Sequence, residues 1–117
     1  MTQIDDLIRL VNQFRDDRDW RQFHNPKDLA LSVSLESAEL LELFQWKNGK
    51  DVTNFLENGG LANVRNEFAD IVIYLLMLAD DLKIDVEAAV CEKLKLQAEK
   101  YPIEKSKGTS KKYDVIG

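Results

Sequence analysis

Apolar residues recur with a helical period along most of this chain. Ile4, Leu7, Ile8, Val11 and Phe14 fall on one face, with acids and arginines between them. They predict a first amphipathic helix that ends within RDDRDW. A second helix has a clear start at NPKD, with Asn25 as N-cap, Pro26 at the first helical position and Asp28 in the first turn. It runs through LALSVSLESAELLELFQW and stops near the turn at 47–50. DVTNFLENGG reads as one short helical turn followed by a break at Gly59-Gly60. A third main helix covers Leu61 to Leu82, and Asp85 caps a fourth, VEAAVCEKLKLQAEKY, which Pro102 ends. The remainder, 103–117, is polar and basic and reads as a loop-like tail. No β pattern and no internal repeat is visible. The expectation is a single all-α domain, a four-to-five-helix bundle over 1–102 with a basic C-terminal tail.

The second and third helices are apolar nearly all the way round. A surface helix of a small monomer keeps a polar face, and 117 residues offer little material to wrap two such helices. A homo-oligomer with two-fold symmetry is therefore expected.

Within those apolar helices stand two pairs of acids. Glu36 and Glu39 lie three apart on the second helix, Glu67 and Asp70 three apart on the third. Residues at that spacing share a helix face. If the helices pack antiparallel, the pairs face each other. One such pair alone is usually a solvated face, but two pairs inside strongly apolar helices are hard to place on a surface. Two carboxylates ~6 Å apart repel by about 3 kcal/mol at an effective dielectric of 20, and desolvation adds to that. Arg65 and Lys27 lie a turn or more away in sequence. A hard divalent cation compensates best, Mg²⁺ ahead of Mn²⁺, because the donors are all oxygen. A di-iron bundle would call for two Glu-x-x-His motifs, and the single histidine, His24, lies outside both helices. Glu42 continues the series on the second helix and is read as facing solvent.

Composition narrows the function. The chain is 44% hydrophobic and 32% charged, an ordinary globular balance. Its net charge of -5 argues against nucleic acid and anionic membranes as partners, though not against a small anionic ligand held through a cation. One cysteine, Cys91, permits no internal disulfide. No signal peptide and no membrane-length apolar run is seen, so a cytoplasmic protein is expected.

The pattern E36-S-A-E39 followed by E67-F-A-D70 resembles the E-x-x-E…E-x-x-D signature of the MazG-like all-α nucleoside triphosphate pyrophosphohydrolases. RDWRQFHNPKDLALSVSLESAELLELFQWK, EFADIVIYLLMLA, KYP and SKKY are similar to the dCTP pyrophosphatase branch, over about Phe14 to Tyr113. The resemblance implies Mg²⁺-dependent hydrolysis of a deoxynucleoside triphosphate between its α and β phosphates, in house-cleaning of the nucleotide pool. It implies metal binding by Glu36, Glu39, Glu67 and Asp70, and assembly as a dimer or a tetramer of two dimers. Direct attack by water is expected, since no reactive Ser or Cys motif is present, with Glu36 or Glu39 as the activating acid.

The same resemblance points to Trp20, Phe23, His24, Trp46 and Tyr74 around the nucleoside, where aromatic stacking on a base contributes ~1–3 kcal/mol. Structural roles at the ends or in the core of the bundle compete with this, most evenly for His24. Lys93, Lys111 and Lys112, ahead of Lys100, are candidates for the β and γ phosphates. Gln97 stands where the family commonly has Asn at a sugar or phosphate contact. Leu35 and Ala38 replace small glycines around the first acid pair, and Val11 stands where dCTP-selective relatives can carry His. These departures bear on the base more than on the metal. The expected substrate is dCTP or a modified or related deoxynucleotide. The alternatives are a dUTP or broad dNTP hydrolase, and a helical nucleotide-binding or dimerisation module without turnover.

Overall fold

The computed structural model describes residues 3–110. Helix α1 (Gln3–Asp17) leads through a 3₁₀ turn (Arg21–Phe23) to α2 (Pro26–Phe44). A short α3 (Gly49–Phe55) and a wide turn (Leu56–Gly60) lead to the long α4 (Leu61–Leu82), followed by α5 (Val86–Lys100) and a one-turn α6 (Ile103–Ser106). No strand occurs among the described residues, so the all-α expectation holds. None of their helices is long and apolar enough to cross a membrane. The chain divides into two compact units, Met1–Lys83 and Ile84–Gly117.

Helix boundaries follow local chemistry. The Asn25 side chain accepts from the Asp28 amide at 2.9 Å, with Pro26 opening α2. Asp85 accepts from the Ala88 amide at 3.0 Å to start α5. Each such cap contributes ~1 kcal/mol. The turn expected at 47–50 is more structured than the sequence implied. Asn48 and Asp51 form a reciprocal capping box, Asn48 accepting from the Asp51 amide at 2.9 Å and Asp51 from the Asn48 amide at 3.3 Å, so α3 begins inside it. Phe44 and Phe55 meet edge to face at 6.0 Å, and the Lys47 ammonium sits 4.8 Å above the Phe55 ring.

The break before α4 falls where the glycines predicted it. Gly59 has φ +95°, a left-handed conformation that side chains disfavour. At Gly60 a Cβ would stand 2.5 Å from the Phe55 carbonyl oxygen and 2.6 Å from its ring, so only glycine fits. The expected loop after Pro102 contains one turn of helix instead, α6. Proline ends α5, but its own amide is not needed at the head of a new helix, so the chain re-enters one.

In the first unit, α2 and α1 both pack on α4. Leu29 of α2 and Leu76, Met77 and Ala79 of α4 form the buried apolar centre. Helix α1 behaves differently from its hydrophobic pattern. Ile4, Ile8 and Val11 are half-buried, yet its fully buried residues are Asn12 and Arg15. Leu7, Leu10 and Phe14 remain exposed, as do Leu31, Leu35 and Leu41 of α2 and Phe68 and Leu75 of α4.

Candidate metal centre

The packing of α2 on α4 brings the two acid pairs together. Glu36, Glu67 and Asp70 each place one carboxylate oxygen within 4.8 Å of the others. Glu39 stands outside this threesome and is more exposed, but is close enough to Glu36 and Glu67 to help raise both carboxyls. Glu42 is exposed, as its solvent reading required. Oε2 of Glu36 and Oε2 of Glu67 are both buried without a hydrogen-bond partner. Buried carboxylate oxygens rarely stay unsatisfied, and these two converge with a third acid. The donor set, oxygen only and anionic, fits a hard divalent cation.

Without a cation, Glu36 and Glu67 hold their protons more tightly than carboxyls ordinarily do. Burial pushes the Glu36 carboxyl up to about 7, helped by hydrogen bonds with Glu39 and Glu67 and by repulsion from Glu39 and Asp70. Burial also raises Glu67, with the Glu39 hydrogen bond next in weight. A carboxyl whose folded pKa exceeds its unfolded one favours the folded state at low pH. That contribution is complete below about pH 4.5 and is lost as pH rises through about 7. Thermal denaturation in EDTA should therefore show stability falling across that window. Glu36→Gln should flatten the slope, and an unchanged slope would count against the cluster.

The other candidates are distributed as follows. Trp20 is half-exposed and meets Phe14 edge to face at 5.7 Å. The Arg18 guanidinium stacks 3.7 Å above the Phe14 ring. Phe23 is exposed and His24 half-buried, its Nδ1 buried without a partner. Tyr74 is half-buried on α4, one turn beyond Asp70. Trp46, at the end of α2, is 92% exposed with φ +68°. Val11, the departure noted above, lines a shallow apolar depression with Leu10, Phe14 and Ile73. Lys93 and Gln97 share a face of α5 in the second unit, lining a depression with Ala89, Val90 and Leu94. Lys100 is exposed on the same helix. Lys111 and Lys112 lie outside the described residues.

Sequence reasoning missed a second charged cluster. Arg15, fully buried, donates to both Asp81 oxygens at 2.6 and 3.0 Å and to Asn12 Oδ1 at 2.7 Å. Arg21 donates to Asp81 at 2.9 Å and to Asp80 at 2.6 Å, and also pairs with Asp16. A signal was available. Asp80 and Asp81 occupy the last turn of α4, where the helix dipole disfavours anions, so they needed cations from elsewhere.

Carboxylates from two packed helices, α2 and α4, thus meet in one acidic cluster of an all-α fold. Residues 31–115 match the model of the MazG-like family, and the chain belongs to that family. It is 36% identical to human dCTP pyrophosphatase 1 over 97% of this chain and 67% of that protein. It is 38% identical to the Bos taurus dCTP pyrophosphatase 1 over 94% of this chain and 66% of that protein. The chain thus spans about two thirds of the length of these relatives. A crystal structure of a pyrophosphatase from Archaeoglobus fulgidus superposes with a TM-score of 0.81 at 40% identity, covering 87% of this chain and 94% of that one.

Proposed function

We propose that this chain is a nucleoside triphosphate pyrophosphohydrolase that converts a deoxynucleoside triphosphate to the monophosphate and pyrophosphate, with dCTP or a related deoxynucleotide as the leading substrate. The observation that carries this reading is the convergence of Glu36, Glu67 and Asp70, with two buried oxygens left unpartnered. The dCTP pyrophosphatase relatives and the pyrophosphatase neighbour support the reaction class.

Glu36, Glu67 and Asp70, with Glu39 beside them, would hold a divalent cation, Mg²⁺ by preference. When bound, such an ion neutralises phosphate charge and stabilises the charge developing at phosphorus. Glu39 is the acid best placed to orient a water and take its proton, because it touches the cluster from outside the three converging oxygens. Trp20, Phe23 and Tyr74 offer stacking faces and an apolar floor for a base. The exposed leucines and phenylalanines of α1, α2 and α4 support a homo-oligomer in which a second copy covers them.

Pyrophosphate release from the four dNTPs, dUTP and the NTPs, with Mg²⁺ and with EDTA, tests this. Metal-dependent release with dCTP foremost is expected. A folded, Mg²⁺-loaded protein that turns over none of them is not this enzyme.

A further inference from the structure

The Arg15–Asp81–Arg21 cluster stands apart from the four acids, and nothing in the reaction above uses it. Its components come from three places: α1, the 3₁₀ turn and the end of α4. The turn it grips follows a left-handed residue, Asp19 at φ +53°. Its backbone hangs from the same arginine, since the Arg15 carbonyl accepts from the Arg18 amide at 3.3 Å and the Trp20 amide at 3.1 Å. Arg15 therefore holds the turn through its main chain while its side chain grips α4. Arg21, inside the turn, grips both Asp80 and Asp81. The segment so tied carries Trp20, Phe23 and His24.

The attachment point is informative. Glu67, Asp70, Tyr74 and Asp81 fall on one stripe of α4, at spacings of three, four and seven residues. Asp81 lies about 16 Å along the helix from Asp70 at 1.5 Å per residue, and Tyr74 lies between them. The helix that carries two of the clustered acids thus also anchors, on the same stripe, the turn bearing three aromatic or imidazole side chains. His24 is near enough to Asp81 to help hold that carboxyl below its usual range, after the larger effect of Arg15.

We propose that Arg21 and Asp81, with Arg15 behind them, are positioning residues that fix the Trp20–His24 turn on α4, so that its side chains meet the nucleoside at a set distance from the acids. This rests on the nucleotide reading of the site. The charged groups touch no reacting atom; they act through Trp20, Phe23 and His24.

Arg21→Gln is the first variant, because Arg21 is part-exposed and Arg15 keeps its partners without it. KM for the best dNTP should rise about tenfold, as expected for a small misplacement of a binding group. kcat should stay within about twofold, since the acids are untouched, and discrimination among bases should narrow. Arg21→Lys, which keeps the charge but not the fork, should recover part of the loss. In a Trp46→Phe background Trp20 is the one tryptophan, and its acrylamide quenching should increase with Arg21→Gln. Unchanged KM and base preference in a folded Arg21→Gln protein would overturn the inference, as would a loss confined to kcat. Failure of the unaltered protein to hydrolyse any nucleotide is the separate failure of the activity reading. The quenching comparison then decides alone, and no increase overturns the tie.

Discussion

Asp70→Asn should abolish metal-dependent pyrophosphate release while making the metal-free protein more stable. The two effects have opposite signs because they come from one cause. Asp70 is half-buried beside Glu36 and Glu67, and its charge repels both. Removing that charge relieves the metal-free fold, so the Tm in EDTA should rise. Removing an anionic oxygen from the cluster also weakens any cation held there. Groups that merely orient metal ligands cost about 10–100-fold when lost, so the loss of a ligand should exceed a hundredfold. Stabilisation by added Mg²⁺ should shrink in parallel; at a hundred times its Kd a ligand contributes about 2.7 kcal/mol. Parallel thermal melts with Mg²⁺ and EDTA and a pyrophosphate assay check all three. A variant that loses activity but gains nothing in EDTA would mean that Asp70 is not under repulsion, and the cluster would need another explanation.

Asp81→Asn should be the most destabilising single change in the first unit, by about 3–5 kcal/mol. It leaves the guanidinium of Arg15, fully buried, without the carboxylate it hydrogen-bonds, and with only Asp80, 3.9 Å away, as an anion nearby. Whole domains are stable by only ~5–15 kcal/mol, so the loss should be plain in urea denaturation. Arg15→Met combined with Asp81→Leu should recover most of it, because the pair goes together and no charge is stranded. The double-mutant cycle isolates the coupling. Acid should act in the same direction. Arg15 holds the Asp81 carboxyl below its usual range, so the pair's contribution is complete above about pH 4 and fades as pH falls below it. A double variant no better than Asp81→Asn would refute the stranded-charge account.

The helices and the acids were legible in the sequence for local reasons. Caps such as Asn25 and Asp85, and breaks such as Gly59 and Pro102, act within a few residues, so their effect can be read from the residues themselves. The four acids were legible because a carboxylate in an apolar helix is costly wherever that helix packs. The partner of Arg15 was not legible. On the helical wheel Arg15 follows Val11, Ile8 and Ile4 by four, seven and eleven residues and shares their half-buried stripe, so the period marked its side of the helix. Its burial depends on acids 65 and 66 positions later, and periodicity within a helix carries no information about partners on another. Helix α1 ends within RDDRDW as its pattern predicted, but which of its apolar residues pack was not legible, for the same reason. Its apolar residues divide between a side packed on α4 and a side left exposed, a division made by what docks there and not by the period.

The connection between Arg15 and Asp81 also orders events in time. The pairing of α2 with α4 joins nearby stretches of chain, whereas the arginine grips a partner 66 residues away. Closing the longer loop costs only about 0.6 kcal/mol more per doubling. A guanidinium stripped of water, however, is compensated only when Asn12 and Asp81 are both in place, so a half-formed version is worse than none. The clasp is therefore expected to form after the folding barrier: Asp81→Asn should leave the rate of folding almost unchanged while the native state opens faster, and a slowed folding limb in stopped-flow kinetics would overturn this order.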